Sequence, residues 1–360
     1  MKASDLSSVL KLAIAQKWAI LIEGSPGIGK SDLVVQALRE INKANGDAIF
    51  SRVKKGEITQ AQALALVEET QTDLIICHPV ISDPTDFKGL PGIVNGQAEF
   101  LPYGDLRRLQ NATRPLVCFL EDLGTGSQAT QAALMQPVLA REINGVKIPD
   151  CVTFIGATNR RADGAAVAGI ITPLRSRFRA TVELTVDAAD WCKWALAKGL
   201  PLDLIAFVQL RPQMLNTFDP KSAKEGKPFA CPRTVAFLGD WLAAGVDSPE
   251  VVCGCVGEAF GTEFLGFRAI YKAVAGLPAQ VVANPKTAPI PAEVDRMFAL
   301  SAALSYYATP KNIDAIGQYA DRISSEFRTF FWKAATARRP ELVETNAHQN
   351  WAISHPEDIQ

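Results

Sequence analysis

Short apolar runs recur through the first half of the chain, each followed by a longer stretch of mixed polarity. Trp18–Glu23, Asp73–Cys77, Leu116–Leu120 and Cys151–Ala157 are apolar almost without interruption, and Ala180–Val186 reads as a fifth strand. Continuous rather than alternating hydrophobicity predicts strands buried on both faces, as in a parallel sheet. The intervening segments 3–16, Asp32–Arg39, Ile58–Glu69 and Ser127–Ala140 read as helices, the last with Ser127 as its cap. Strands alternating with helices predict an α/β fold, a parallel sheet with helices on both faces. Asn95-Gly96 between Ile93-Val94 and Ala98-Glu99-Phe100 predicts a β-hairpin, whereas Ser82–Pro91 reads as loop. From about residue 187 the pattern is helical only, broken by a polar linker at Asp219–Gly226 that is expected to be a flexible surface loop. In the helix predicted from Glu258 to Tyr271, Phe264, Phe267 and Tyr271 form a stripe expected to face the core. Further helices are expected between Pro291 and Arg339, where Phe327, Phe330, Phe331 and Trp332 crowd together. The tail beyond Glu341 is polar and expected to be poorly ordered.

Length and composition narrow this picture only a little. The chain has 360 residues, 48% hydrophobic and 21% charged, enough for about two domains with sizeable cores. A formal net charge of −1 gives no bulk electrostatic reason to expect nucleic acid or an anionic membrane as partner. The chain has no apolar run long enough to span a bilayer, and its N-terminus lacks the plan of a signal peptide. Seven scattered cysteines, an odd number, do not suggest a disulfide framework, and the three histidines (His78, His348, His355) make no zinc site with Cys253-Gly254-Cys255. Reduced core cysteines and a cytoplasmic location are the expectation.

The chemistry concentrates at Gly24-Ser25-Pro26-Gly27-Ile28-Gly29-Lys30-Ser31, which fits G-x-x-x-x-G-K-[ST] without a mismatch. It stands between an apolar strand and an amphipathic helix, so its backbone N–H groups would converge on an anion at a helix N-terminus. The glycines let the backbone curl around phosphates without a Cβ in the way. Lys30 would place its ammonium on the β- and γ-phosphates, and the Ser31 hydroxyl would take a Mg²⁺ position. A nucleoside triphosphate is the expected ligand. Downstream, Glu121-Asp122 closes the third apolar strand, where phosphate-loop proteins handle Mg²⁺ and the attacking water. Asn159 ends the fourth strand and can reach a γ-phosphate or the lytic water. Thr172–Phe178, with Arg175 and Arg177, precedes the fifth, and Cys231-Pro232-Arg233-Thr234 opens a helix of the all-helical part.

With these motifs in this order, the chain resembles the AAA+ ATPases, and more closely their MoxR-like branch, over roughly residues 5–275. Asp86–Pro91 and Ala129–Leu139 add to the likeness. The resemblance implies an AAA+ P-loop core at 1–186, an all-helical lid at 187–290 and a helical C-terminal extension at 291–360. It implies that Asn159 is sensor 1, that Arg233 is sensor 2, and that Arg177 is an arginine finger acting on a neighbouring subunit, with Arg175 the second candidate. A finger in trans implies a ring, usually a hexamer. ATP and Mg²⁺ are the implied cofactors, a protein client the implied substrate of remodelling, and a von Willebrand A-domain protein the implied partner. The hairpin at Asn95-Gly96, with Phe100 and Tyr103 behind it, and Phe87-Lys88 would face the pore of such a ring, or else be a surface hairpin whose aromatics pack into the core. One departure stands out. The family usually has Asp then Glu after the strand, whereas here Glu121 precedes Asp122. By position Glu121 would serve Mg²⁺ and Asp122, one methylene shorter, would polarise water from further back, which predicts slow or partner-dependent hydrolysis. Two alternatives stay open: a nucleic-acid motor or loader, against which the charge balance argues, and a nucleotide-gated assembly scaffold with little turnover.

Overall fold

A computed structural model describes residues 1–164 and 169–358. The chain divides into two compact units, Met1–Val186 and Asp187–Gln360.

Among the described residues the first unit has nine strands: β1 (Ile20–Glu23), β2 (Asp73–Cys77), β3 (Leu90–Val94), β4 (Gln97–Leu101), β5 (Leu116–Leu120), β6 (Glu142–Ile143), β7 (Val146–Lys147), β8 (Val152–Thr158) and β9 (Ala180–Glu183). Five of them form one sheet in the order β2-β5-β8-β1-β9, with every neighbouring pair parallel. Side chains alternate between its two faces. Leu21, Cys118, Leu120 and Phe154 pack on Leu106, Leu109, Leu134 and Leu174. Ile20, Ile22, Val117, Phe119, Ile155 and Ala157 pack on Leu6 and Leu10 of the helix Ala3–Ala15 and on Val34, Ala37 and Leu38 of the helix Lys30–Lys54. Each such buried Leu, Ile or Val contributes about 1.5–3 kcal/mol, which explains why the strands read as continuous apolar runs. The expected α/β core, a parallel sheet covered on both faces, is what the structure contains. Its register brings the carboxyl ends of β1, β5 and β8 together, with Glu23 opposite Thr158 and Leu120 opposite Gly156.

Several elements differ from expectation. The helix after the phosphate loop runs unbroken to Lys54. Asn42 on it exchanges two hydrogen bonds with the Thr72 backbone (2.8 and 3.0 Å), tying its polar middle to the start of β2. The segment read as loop contains a short helix, Pro84–Lys88, because the Asp83 and Asp86 carboxylates close a capping box around it. Phe87 is thereby buried in the core, at 6% exposure. Of the two readings for that aromatic, core packing is the one observed. Phe100, by contrast, is exposed on β4 of the expected hairpin, whose turn residues Asn95 and Gly96 have φ of 51° and 79°. The helix expected over Ser127–Ala140 is split into Gln128–Ala133 and Met135–Leu139. Pro137 removes the N–H that a continuous helix would need there. A second small hairpin, β6–β7, turns at Asn144-Gly145 and was not expected.

The second unit is helical. Phe207 on the helix Leu202–Leu210 meets Phe260, Phe264 and Phe267 of the helix Glu258–Val274 at centroid distances of 5.0, 5.6 and 5.8 Å, so Phe264 and Phe267 of the stripe are core as expected, whereas Tyr271 is half-buried. Asp219–Gly226 is not an open loop, because the Asp219 carboxylate caps a short helix, Pro220–Lys224, by accepting from Ser222 N at 2.9 Å. One hydrophobic cluster joins Val281 and Ala288 to Leu300, Phe331, Trp332 and Trp351.

The tail is the largest departure. A helix, Asn346–Ser354, lays Trp351 on Trp332 at 5.4 Å, and the chain then delivers Asp358 into the interior. Its carboxylate accepts from Arg328 Nε (2.6 Å), Trp351 Nε1 (3.1 Å) and Ser325 Oγ. Burial opposes its ionisation, but these three bonds outweigh that and hold the carboxyl well below the usual range. A depressed pKa adds stability above the unfolded value, near 4, and that stability is lost as pH falls below it. Asp358→Asn is therefore expected to destabilise the chain by about 3 kcal/mol at pH 7, since it leaves the buried Arg328 without a counter-charge. Urea melts at pH 7 and pH 3 check this: the gap between variant and wild type shrinks at the lower pH.

Among the described residues no helix is long and apolar enough to cross a membrane, and no cluster of three or more His, Cys, Asp or Glu is placed to hold a metal. All seven cysteines are free.

Candidate nucleotide site

Strand β1 ends at Glu23, and the chain then turns through the glycine-rich loop into the helix Lys30–Lys54. Gly24 is required by space: a Cβ there would lie 2.5 Å from Ile28 Cδ1 and 3.0 Å from Leu184 O. Gly29 is required by conformation, with φ of 92° where the helix begins. Lys30 is buried, and its ammonium donates to Gly24 O (2.9 Å), Ser25 O (2.9 Å) and Asn159 Oδ1 (2.8 Å). The lysine thus braces the loop from within and links it to the end of β8. The adjacent Ser31 hydroxyl donates to Glu121 Oε1 at the end of β5.

Glu121 is held by its own backbone, its N–H donating to Cys77 O at the end of β2 (2.9 Å). Its second carboxylate oxygen lies 3.6 Å from His78 Nδ1. At Asp122 the chain turns sharply, with φ of 50°, a left-handed conformation that Asp tolerates better than most residues. Its carbonyl accepts from Thr125 N (2.9 Å) and Thr125 Oγ1 (2.6 Å), which fixes the turn.

Four of the residues singled out in the sequence, Lys30, Ser31, Glu121 and Asn159, are thereby connected at the carboxyl ends of neighbouring parallel strands, where open α/β sheets bind ligands. Arg175, Arg177 and Arg233 are not part of this connected set. Arg175 pairs with Glu23, beside the phosphate loop of its own chain. Arg177 donates to Pro173 O and lines a cavity of about 360 Å³ with Phe87, Lys88, Gln136 and Asn144. Arg233 belongs to the second unit, exposed in the first turn of the helix Pro232–Ala243.

No protein-family model matches the chain, and a search of curated proteins gives no match. Among solved structures, the chain is similar to the Thermotoga maritima RuvB Holliday junction branch migration motor, with 16% identity, 83% of this chain and 86% of that chain covered, and a TM-score of 0.36. It is also similar to the Aeropyrum pernix ORC2 protein, described as ADPNP-ADP complexes, with 13% identity, 93% and 84% covered, and a TM-score of 0.34.

Two further residues belong to the site and were not anticipated from the sequence. Arg160, directly after Asn159, donates through Nη2 to Ser25 Oγ in the loop. The same guanidinium grips Asp163 through two bonds, Nε to Oδ2 (3.2 Å) and Nη2 to Oδ1 (3.0 Å), and reaches Glu183 through Nη1 (2.9 Å). The bond to Asp163 is the main cause of a raised Arg160 pKa, with Glu183 adding to it against the cost of burial. A strand-end cation next to a candidate sensing amide was the available signal. His78 is the other. Its place follows from β2 and β5 being neighbours, which no local pattern states.

Proposed function

We propose that this chain is an AAA+ ATPase of the MoxR-like branch, working in a ring as a protein-remodelling chaperone. The observation that supports it is the connected set Lys30, Ser31, Glu121 and Asn159 at the carboxyl ends of β1, β5 and β8. Lys30 is an ammonium held against the carbonyls of the glycine-rich loop, able to exchange them and Asn159 for substrate phosphate oxygens. The touching hydroxyl of Ser31 and carboxylate of Glu121 are a hard-oxygen donor pair of the kind Mg²⁺ takes alongside nucleotide phosphates. When bound, Mg²⁺ would neutralise developing charge on the phosphates. Asn159 would orient the γ-phosphate or the lytic water, and Asp122, just past the strand, would polarise that water. By the resemblance, Arg177 of one subunit would complete the site of the next, and Arg233 would contact nucleotide from the lid at 187–290. The extension at 291–360, a cytoplasmic setting, a hexameric ring and a von Willebrand A-domain partner belong to the same proposal.

ATP turnover per subunit, measured against protein concentration with Mg²⁺ present, tests this reading. A rate per subunit that climbs with concentration, and that Arg177→Ala flattens while ATP still binds, is the expected result. A flat background rate with ATP bound at every concentration would instead favour the scaffold reading. Stimulation by duplex or branched DNA would redirect the proposal to a nucleic-acid motor.

A further inference from the structure

Ser25 is held at two points. Its backbone oxygen accepts from Lys30 and its side-chain oxygen from Arg160. Ser25 itself is 4% exposed, so its hydroxyl has little water to turn to. Arg160 is in turn oriented by Asp163, a carboxylate only 5% exposed that takes the guanidinium in the forked geometry particular to arginine. Glu183 is more than half exposed, so its pairing adds little.

The two tethers differ in what the substrate does to them. Phosphate oxygens compete for the Lys30 ammonium, so that tether weakens as a nucleotide enters. The Arg160 guanidinium is already committed to Asp163 through two bonds, so its bond to Ser25 is less open to that competition. Resting on the ATPase reading above, we propose that Arg160 is a positioning residue that keeps the first half of the phosphate loop in its binding shape while Lys30 engages the phosphates. Because Arg160 follows Asn159, it also makes the loop and the end of β8 move as one body. A loop ordered in advance binds more tightly, since less ordering remains to be done when ligand arrives.

A four-member cycle of wild type, Arg160→Ala, Ser25→Ala and the double variant, assayed for ATP Kd and for KM and kcat, tests this. Each single variant is expected to weaken ATP binding and raise KM roughly tenfold, the size of losing one hydrogen bond to a charged group. The double variant is expected to be no worse than the weaker single, because both remove the same contact. The rate at saturation stays within about threefold of wild type, the pattern of lost uniform binding. Arg160→Lys recovers only part of the affinity, one ammonium being unable to reproduce the fork and the serine bond together. Additive losses, or a wild-type KM in Ser25→Ala, which deletes only a hydroxyl and serves where Arg160→Ala folds poorly, overturn the proposal. A wild-type chain that binds no ATP overturns the ATPase reading and this inference with it. Binding in wild type with unchanged variants overturns this inference alone.

Discussion

A Lys30→Ala chain is expected to bind ATP on the order of 100- to 1,000-fold more weakly than wild type, the scale of truncating one member of a buried charge pair. The expectation rests on where the ammonium sits. Lys30 is 8% exposed and its ammonium donates to two loop carbonyls, those of Gly24 and Ser25, and to Asn159. Removing it deletes the cation offered to the phosphates and also frees Gly24 O and Ser25 O, so the empty loop loses its brace. Both effects act on nucleotide binding, while the sheet beneath, packed through Ile20, Ile22, Phe119 and Ile155, does not depend on this side chain. Isothermal titration with ATP, beside thermal melts of the empty protein, separates the two. Lost binding with a melting temperature near wild type fits. An unchanged Kd would mean that this loop is not the nucleotide site.

What the sequence disclosed and what it hid follow the range of the interactions involved. The phosphate loop, the apolar strands and the Asn95-Gly96 turn are set by residues within a few positions of one another, and each was legible. The same Asn-Gly signal at Asn144-Gly145 stands between strands of two residues each, too short for any alternation to show. Phe87 was ambiguous for a different reason. Its helix exists through the capping box of Asp83 and Asp86, while its burial depends on the core beyond. The polar tail misled because composition counts charges without knowing their partners. Asp358 is buried by Arg328, Ser325 and Trp351, two of them about thirty positions earlier. Arg160 escaped for the same reason, its partner Ser25 standing 135 positions away.

Exchanging Asp122 for Glu is expected to speed ATP hydrolysis by roughly tenfold or more, and Asp122→Asn to slow it at least as much, both with ATP affinity unchanged. In the proposed site the contact between Ser31 and Glu121 would put the longer carboxylate on the Mg²⁺ side. Asp122 is then the other carboxylate of the pair that follows β5. Its left-handed backbone and the two bonds from Thr125 to its carbonyl fix where its Cβ can be. On the role proposed for Asp122, a fixed Cβ and a short side chain would leave the carboxylate set back from water at the γ-phosphate, and about 1 Å of misplacement costs roughly 100-fold. One added methylene recovers that distance without moving the turn. Glu121→Gln has a different signature, a raised Mg²⁺ requirement, because it removes charge from the metal side. Single-turnover hydrolysis across a Mg²⁺ series distinguishes these outcomes. If Asp122→Asn hydrolyses at the wild-type rate while Glu121→Gln does not hydrolyse at any Mg²⁺ concentration, the two carboxylates have the opposite roles, and Glu121 is the residue that activates water.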